Sequence, residues 1–114
     1  TIAIHGARVS WDLGYMRDLT ALATRWDSFH YLPIIDEVHR DPDWPGKTGF
    51  VNEYIDDGTV AKILGHDMDP ERTSVFLCGN PIMVENMEET LIERGFKIHK
   101  RRDPGNIFVE TFWA

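Results

Sequence analysis

The only cysteine of this 114-residue chain stands where polarity and local geometry change together. Cys78 closes the apolar, partly β-branched run Ser74-Val75-Phe76-Leu77-Cys78, the composition of a strand buried on both faces. Gly79 permits a sharp turn. Asn80 is a good helix N-cap, and Pro81 suits a first helical position, where its missing N–H had no partner to lose. Ile82, Met83, Met87 and Leu91 then recur at helical spacing until Gly95 ends the run. A polarisable thiol is thereby set where a strand hands over to a helix N-terminus, the edge at which open α/β sheets bind ligands. The plainer alternative is a buried cysteine acting as a small hydrophobe.

Other residue groups point to chemistry less well. Pro45-Gly46-Lys47-Thr48-Gly49 has the ending of a phosphate-binding P-loop, but that motif needs a glycine where Asp41 stands. His39-Arg40-Asp41 echoes a kinase catalytic loop without any companion motif. His66, Asp67 and Asp69 are suitable metal-ligand types, yet a solvated loop explains them more simply. The five histidines include no i, i+4 pair, so a zinc site is unsupported. A hydrolase triad lacks its Gly-x-Ser-x-Gly elbow.

Alternating strands and helices must position these groups. Ile2–His5 reads as a buried strand ended by Gly6, and Ser10 as the cap of a helix from Trp11 to about Trp26. Residues 29–35 form a second strand, with Pro33 marking an edge or bulge. A polar loop covers residues 36–49, a length that tends to be functional. Residues 50–55 open a further helix, interrupted at Asp57-Gly58 and resumed from Thr59 to Leu64. The Cys78 strand, the helix over residues 82–94 and a last strand over 106–112 complete the chain. The expected fold is α/β with a parallel sheet.

Composition sets further bounds. Twelve Lys and Arg against nineteen Asp and Glu give a formal charge of −7, which argues against nucleic acid as partner. One cysteine excludes an internal disulfide and suits a reducing, cytoplasmic setting. No apolar run approaches the roughly 20 residues needed to span a membrane. The chain enters a strand almost at once from Thr1, which leads us to expect a trimmed or processed polypeptide.

Residues 75–87 followed by 101–113 resemble the C-terminal half of bacterial ferredoxin–NADP reductases and the related oxygenase reductases. Residues 4–15 resemble that family's second strand and the start of its second helix, and residues 30–37 its third strand. The resemblance implies a Rossmann-like NAD(P)-binding lobe over residues 1–114 that presents NAD(P)H to FAD, with electrons passing on to ferredoxin or flavodoxin. It implies that Cys78 lies beside the nicotinamide and that Glu110 is the tail carboxylate near it. Gly6, Arg8, Asp36, Glu37, Gly79, Asn80, Pro81 and Met83 fall at nucleotide-contacting positions. Phe112 matches the aromatic that shields the flavin, with Trp113 beside it. For the tail residues an ordinary edge strand with a buried aromatic end is the competing reading.

Departures from the family pattern carry their own expectations. The opening strand, its Gly-Thr-Gly-x-x-Pro loop and the first helix are missing before Ile2, and no FAD-binding barrel is present. The fold is therefore expected to be truncated at the N-terminus and inactive alone. Either it is a fragment of a larger reductase, or a dimer or separate flavin-binding chain closes its open strand edges. A lobe kept only for nucleotide binding or scaffolding is the alternative. Asp36-Glu37 and Phe50 stand where NADP-using relatives place basic residues, which leans towards NADH, although Arg8 matches a basic position and Arg40 and Lys47 could compensate. Lys97, Lys100, Arg101 and Arg102 gather basic charge in an acidic chain and would suit an acidic ferredoxin or flavodoxin; a solvated loop is the simpler account.

Overall fold

The computed structural model describes residues 1–111, and the chain divides into two compact units, Thr1–Asp57 and Gly58–Ala114. The first unit holds a three-stranded parallel sheet in the order β1-β2-β3, formed by β1 (Ile2–Ala7), β2 (His30–Ile35) and β3 (Lys47–Thr48). β1 and β2 run in register from Ile2 opposite His30 to Ala7 opposite Ile35. Continuous register through Pro33 rules out a bulge there. The proline is tolerated because on its other side β2 meets β3 only at Ile34 and Ile35, leaving Pro33 on an edge. Its carbonyl accepts a 2.5 Å hydrogen bond from the Tyr54 hydroxyl.

The expected helix from Trp11 is shorter. A 3-10 turn at Ser10–Asp12 comes first, Tyr15 takes φ 61°, and α1 spans only Met16–Arg25. Ser10 supplies no side-chain cap, and the left-handed Tyr15 separates the two helical pieces. The segment read as one polar loop contains a 3-10 turn, Val38–Arg40, as well as β3. α2 (Glu53–Asp56) closes this unit, whose core is Val9, Leu13, Ile34, Ile35, Tyr54 and Ile55.

In the second unit α3 (Thr59–Leu64) starts after Gly58, whose positive φ explains the interruption anticipated there. β4 (Val75–Gly79) pairs in parallel with β5 (Ile107–Thr111), and α4 (Pro81–Glu93) packs on both strands. Val84, Met87 and Leu91 are its buried residues, spaced one and two turns apart, whereas Ile82 is exposed. Met87 and Leu91 are inward as expected, and Val84 takes the place expected for Ile82 and Met83. Strand β4 departs from expectation too: Leu77 is buried, but Phe76 and Cys78 on the other face are exposed. The helix covers one face of the strand and period-two alternation turns the intervening side chains away from it. Among the described residues β1 pairs only with β2 and β4 only with β5, leaving the open edges foreseen from the sequence.

Candidate functional site

Candidate residues gather at the C-terminal end of the parallel strands in each unit. In the second unit, parallel pairing sets Cys78 directly across from Glu110 and Gly79 across from Thr111. Two positions earlier, Phe76 lies across from Phe108, and their rings stack with centroids 5.0 Å apart. His99 meets the Phe108 ring at 4.7 Å. A hollow of about 190 Å³ on this face is lined by Phe76, Leu77, Cys78, Phe108, Val109 and Glu110. It offers an apolar floor, a thiol and a carboxylate, the makings of a seat for a planar, partly polar ring.

Beyond Cys78 the chain turns at Gly79, with φ 152°. A Cβ at this glycine would stand 2.5 Å from Met83 Cε, so the bare backbone leaves room at the head of the helix. Asn80 Oδ1 accepts the Met83 N–H at 2.9 Å, and Pro81 occupies the first turn of α4. The cap and proline expected from the sequence are both present. This arrangement aligns the positive end of a thirteen-residue helix with the strand end that carries Cys78. Bare backbone, helix N-terminus and ring-sized hollow fit a nicotinamide nucleotide. Phe112 and Trp113, assigned to flavin contact by resemblance, lie outside the described residues.

In the first unit, the edge beyond β1 and β2 is built from backbone hooks. The Asp36 N–H donates to the Ala7 carbonyl at 3.1 Å, and the Glu37 N–H to the Arg8 carbonyl at 2.9 Å. Gly6, Arg8, Asp36 and Glu37 therefore share one edge. A Cβ on Gly6 would come within 2.6 Å of Val51 Cγ1, so the second half of this unit packs closely over that strand. Arg40 Nη1 donates to Glu37 Oε2 at 2.6 Å. Lys47 Nζ meets Asp57 Oδ2 at 2.5 Å and sits 5.5 Å from the Tyr54 ring centroid. The Asp57 hydrogen bond, opposed by a smaller burial effect, raises the Lys47 pKa.

Sequence reasoning missed Asp41. It is the buried charged residue of the described chain, and its Oδ2 accepts the Ser10 N–H at 2.8 Å. This bond ties the 36–49 segment to the turn after β1. The signal lay in its Asp-Pro pair, a turn former, but no local pattern names a partner 31 residues away.

The basic run forms a compact hairpin. Asn106 Oδ1 accepts the Lys97 N–H, the Asn106 N–H returns to the Lys97 carbonyl, and Lys100 and Asp103 exchange two 3.0 Å bonds. Lys97 is ion-paired to Asp103, which holds the Asp103 carboxyl below its ordinary range. Gly105 is required here, since a Cβ would stand 2.3 Å from the Lys97 carbonyl oxygen. Lys100, Arg101 and Arg102 point their charge from an exposed turn. At the other candidate cluster, His66 Nδ1–H donates to the Asp67 carbonyl at 2.6 Å. No group of three His, Cys, Asp or Glu able to hold a metal occurs among the described residues.

The family description "Oxidoreductase NAD-binding domain" matches residues 1–89. The chain belongs to this family. Its NAD-binding domain is 33% identical over 113 residues to the flavodoxin/ferredoxin–NADP reductase of Escherichia coli, covering 98% of this chain and 45% of that protein. It is 32% identical over 106 residues to the sulfhydrogenase 1 subunit gamma of Pyrococcus furiosus, covering 93% of this chain and 31% of the relative. The crystal structure of a ferredoxin NADP+ reductase from Neisseria gonorrhoeae with bound FAD and NADP superposes with a TM-score of 0.79 at 26% identity, over 98% of this chain and 44% of the other. The NAD-binding domain thus spans less than half the length of these relatives. Its α/β fold with parallel sheets is that of the reductase lobe, and no helix among the described residues is long and apolar enough to cross a membrane.

Proposed function

We propose that this domain is the pyridine-nucleotide lobe of a flavin-dependent reductase, presenting NADH to an FAD held outside residues 1–114. The observation that carries the reading is the Cys78–Glu110 pair, set across two parallel strands beside Gly79 and the Asn80-capped helix. The reduced nicotinamide supplies hydride chemistry when bound. Cys78 gives the ring a small, polarisable neighbour, and Glu110 orients its polar edge. Within the first unit, Gly6, Arg8, Asp36 and Glu37 share one strand-end edge, where carboxylates would favour a ribose 2′-hydroxyl over a 2′-phosphate.

The chain should bind NADH more tightly than NADPH in a calorimetric titration at low salt. Glu110→Gln should retain nucleotide binding yet slow flavin reduction when a flavin-binding partner is supplied. Failure of the chain to bind either nucleotide would sink the reading.

The hairpin bearing Lys97, Lys100, Arg101 and Arg102 suits an acidic electron carrier such as a ferredoxin or flavodoxin. Complementary charge speeds encounter. Reversing Lys100, Arg101 and Arg102 to glutamate should lower the association rate by about tenfold or more at low salt, with the difference shrinking as salt rises. An unchanged rate would remove the hairpin from the docking surface.

The edges of β1 and β4 that have no partner among the described residues leave room for a strand from outside residues 1–114, supplied by a longer polypeptide, another chain or a second copy. Light scattering on the purified chain distinguishes a monomer from a dimer.

A further inference from the structure

The basic hairpin is held by backbone bonds at its base and tip, and by a histidine side chain between them. At the base, the Asn106 and Ile107 N–H groups donate to the Lys97 carbonyl at 2.9 and 3.0 Å, and the His99 N–H donates to the Ile107 carbonyl at 2.8 Å. At the tip, Lys100 and Asp103 exchange their two backbone bonds. Between these, the Gly105 N–H donates to a side chain, His99 Nδ1, at 3.2 Å. The backbone is already in close contact here, since a Cβ on Gly105 would meet the Lys97 carbonyl oxygen. The same imidazole lies against Phe108 with centroids 4.7 Å apart, and Phe108 in turn stacks on Phe76. His99 is exposed, so protons reach its ring without any opening of the fold.

We infer that His99 is a proton-controlled clasp of the basic hairpin: neutral, it closes on Gly105; protonated, it releases Gly105 and adds a cation to Lys100, Arg101 and Arg102. A ring nitrogen accepts a hydrogen bond only while it carries no proton, so the bond to Gly105 fixes a neutral ring with its proton on Nε2. Histidine is the side chain whose charge changes between about pH 5 and 8. A proton on Nδ1 sets two N–H groups against each other, and the Gly105 amide loses its acceptor. The Phe108 contact suffers no such loss, because an aromatic face attracts a cation. The bond is therefore present at high pH and lost as pH falls through the titration of His99. Charges around the ring divide. Lys97, Lys100, Arg101 and Arg102 oppose an added proton, and Asp103 is already paired with Lys97. On β5, Glu110 shares the strand face of Phe108 and favours the proton; on β4, Cys78 lies across from Glu110. The clasp deepens the docking reading of this hairpin and rests on it for its purpose, the tuning of attraction for an acidic carrier.

Amide exchange with solvent in the full chain, read residue by residue by 15N-edited NMR from about pH 5 to about pH 8, tests the clasp. Relative to its intrinsic exchange rate, Gly105 should lose protection by about threefold or more on acidification, with the same midpoint as the His99 ring protons. The Ile107 N–H should stay protected throughout. His99→Asn offers an Oδ1 acceptor in place of Nδ1 and takes up no proton in this range, so Gly105 should stay protected at every pH. His99→Lys is charged and offers no acceptor, so Gly105 should remain at the low, acid level. Protection of Gly105 that ignores the His99 titration overturns the clasp. So does a loss that persists in His99→Asn, or one shared equally by Ile107, which would mean melting of the whole hairpin. Hexaglutamate at low salt probes docking separately. It should shift the hairpin amides more strongly at about pH 6 than at about pH 8 in the unsubstituted chain, and equally at both in His99→Asn. No shift at either pH, with Gly105 still following His99, removes the docking reading and leaves the clasp standing.

Discussion

Replacing Asp41 by alanine tests the tie between the 36–49 segment and the turn after β1. The Asp41 side chain is only 8% exposed and accepts the Ser10 N–H at 2.8 Å. Truncation removes a hydrogen bond to a charged group, worth about 1.5–3 kcal/mol, and leaves a part-buried amide without its acceptor. These costs overlap, and removing a desolvated carboxylate offsets part of them. The net loss should be about 2 kcal/mol, or roughly 8 °C in Tm for a chain of this size. Asp41→Asn keeps an acceptor oxygen and should lose about 1 kcal/mol or less. Urea unfolding followed by tryptophan fluorescence measures both, with Trp44 reporting from the same segment: its backbone N–H donates to the Asp41 carbonyl at 3.1 Å and its indole N–H to the Lys47 carbonyl at 2.9 Å. A loss under about 0.5 kcal/mol for Asp41→Ala, the range of ordinary surface changes, would refute the reasoning. Equal damage from Asp41→Asn would show that charge, not the acceptor, holds the segment.

Two further outcomes follow from the geometry. Asn80→Ala removes the Oδ1 that accepts the Met83 N–H and should destabilise the chain by about 1 kcal/mol, read as a lower urea midpoint; Asn80→Ser should recover most of it. Burial lowers the His5 pKa from its ordinary value of 6.5, so between the folded value and 6.5 the unfolded chain binds a proton that the folded chain does not. Stability should therefore fall on acidification below about 6.5, and His5→Gln should flatten that part of the profile. A profile identical in both proteins would assign the acid sensitivity to other groups.

The strand-to-helix turn at Cys78-Gly79-Asn80-Pro81 was legible because each residue acts locally. Asn80 reaches an amide three positions on, Pro81 needs only its own φ, and Gly79 only the freedom to turn. The stop at Gly95 is equally local: it takes φ 92°, and the Phe96 N–H closes back on the Leu91 carbonyl. The helix expected over residues 11–26 failed at its start because apolar spacing alone cannot detect the left-handed Tyr15 that delays α1 to Met16. The inward stripe of α4 was read correctly at Met87 and Leu91 but missed at its start, for a related reason. Its sequence offers apolar residues on more than one side, and only packing against β4 and β5 selects Val84, Met87 and Leu91.

By itself the sequence determined the alternation of strands and helices, the capped helix after Cys78 and the gathering of basic charge at residues 97–102. These depend on side-chain period, backbone preference and composition, all of which are written within a few neighbouring residues. The tertiary structure alone decided that Cys78 faces Glu110, that Asp41 holds Ser10, and that Lys47 is engaged by Asp57. Strand register and long-range hydrogen bonds join residues up to 32 positions apart in these cases, from Cys78 to Glu110. Such pairings arise because the sheet must satisfy its backbone groups and bury its apolar face at the same time, and no single segment carries that condition.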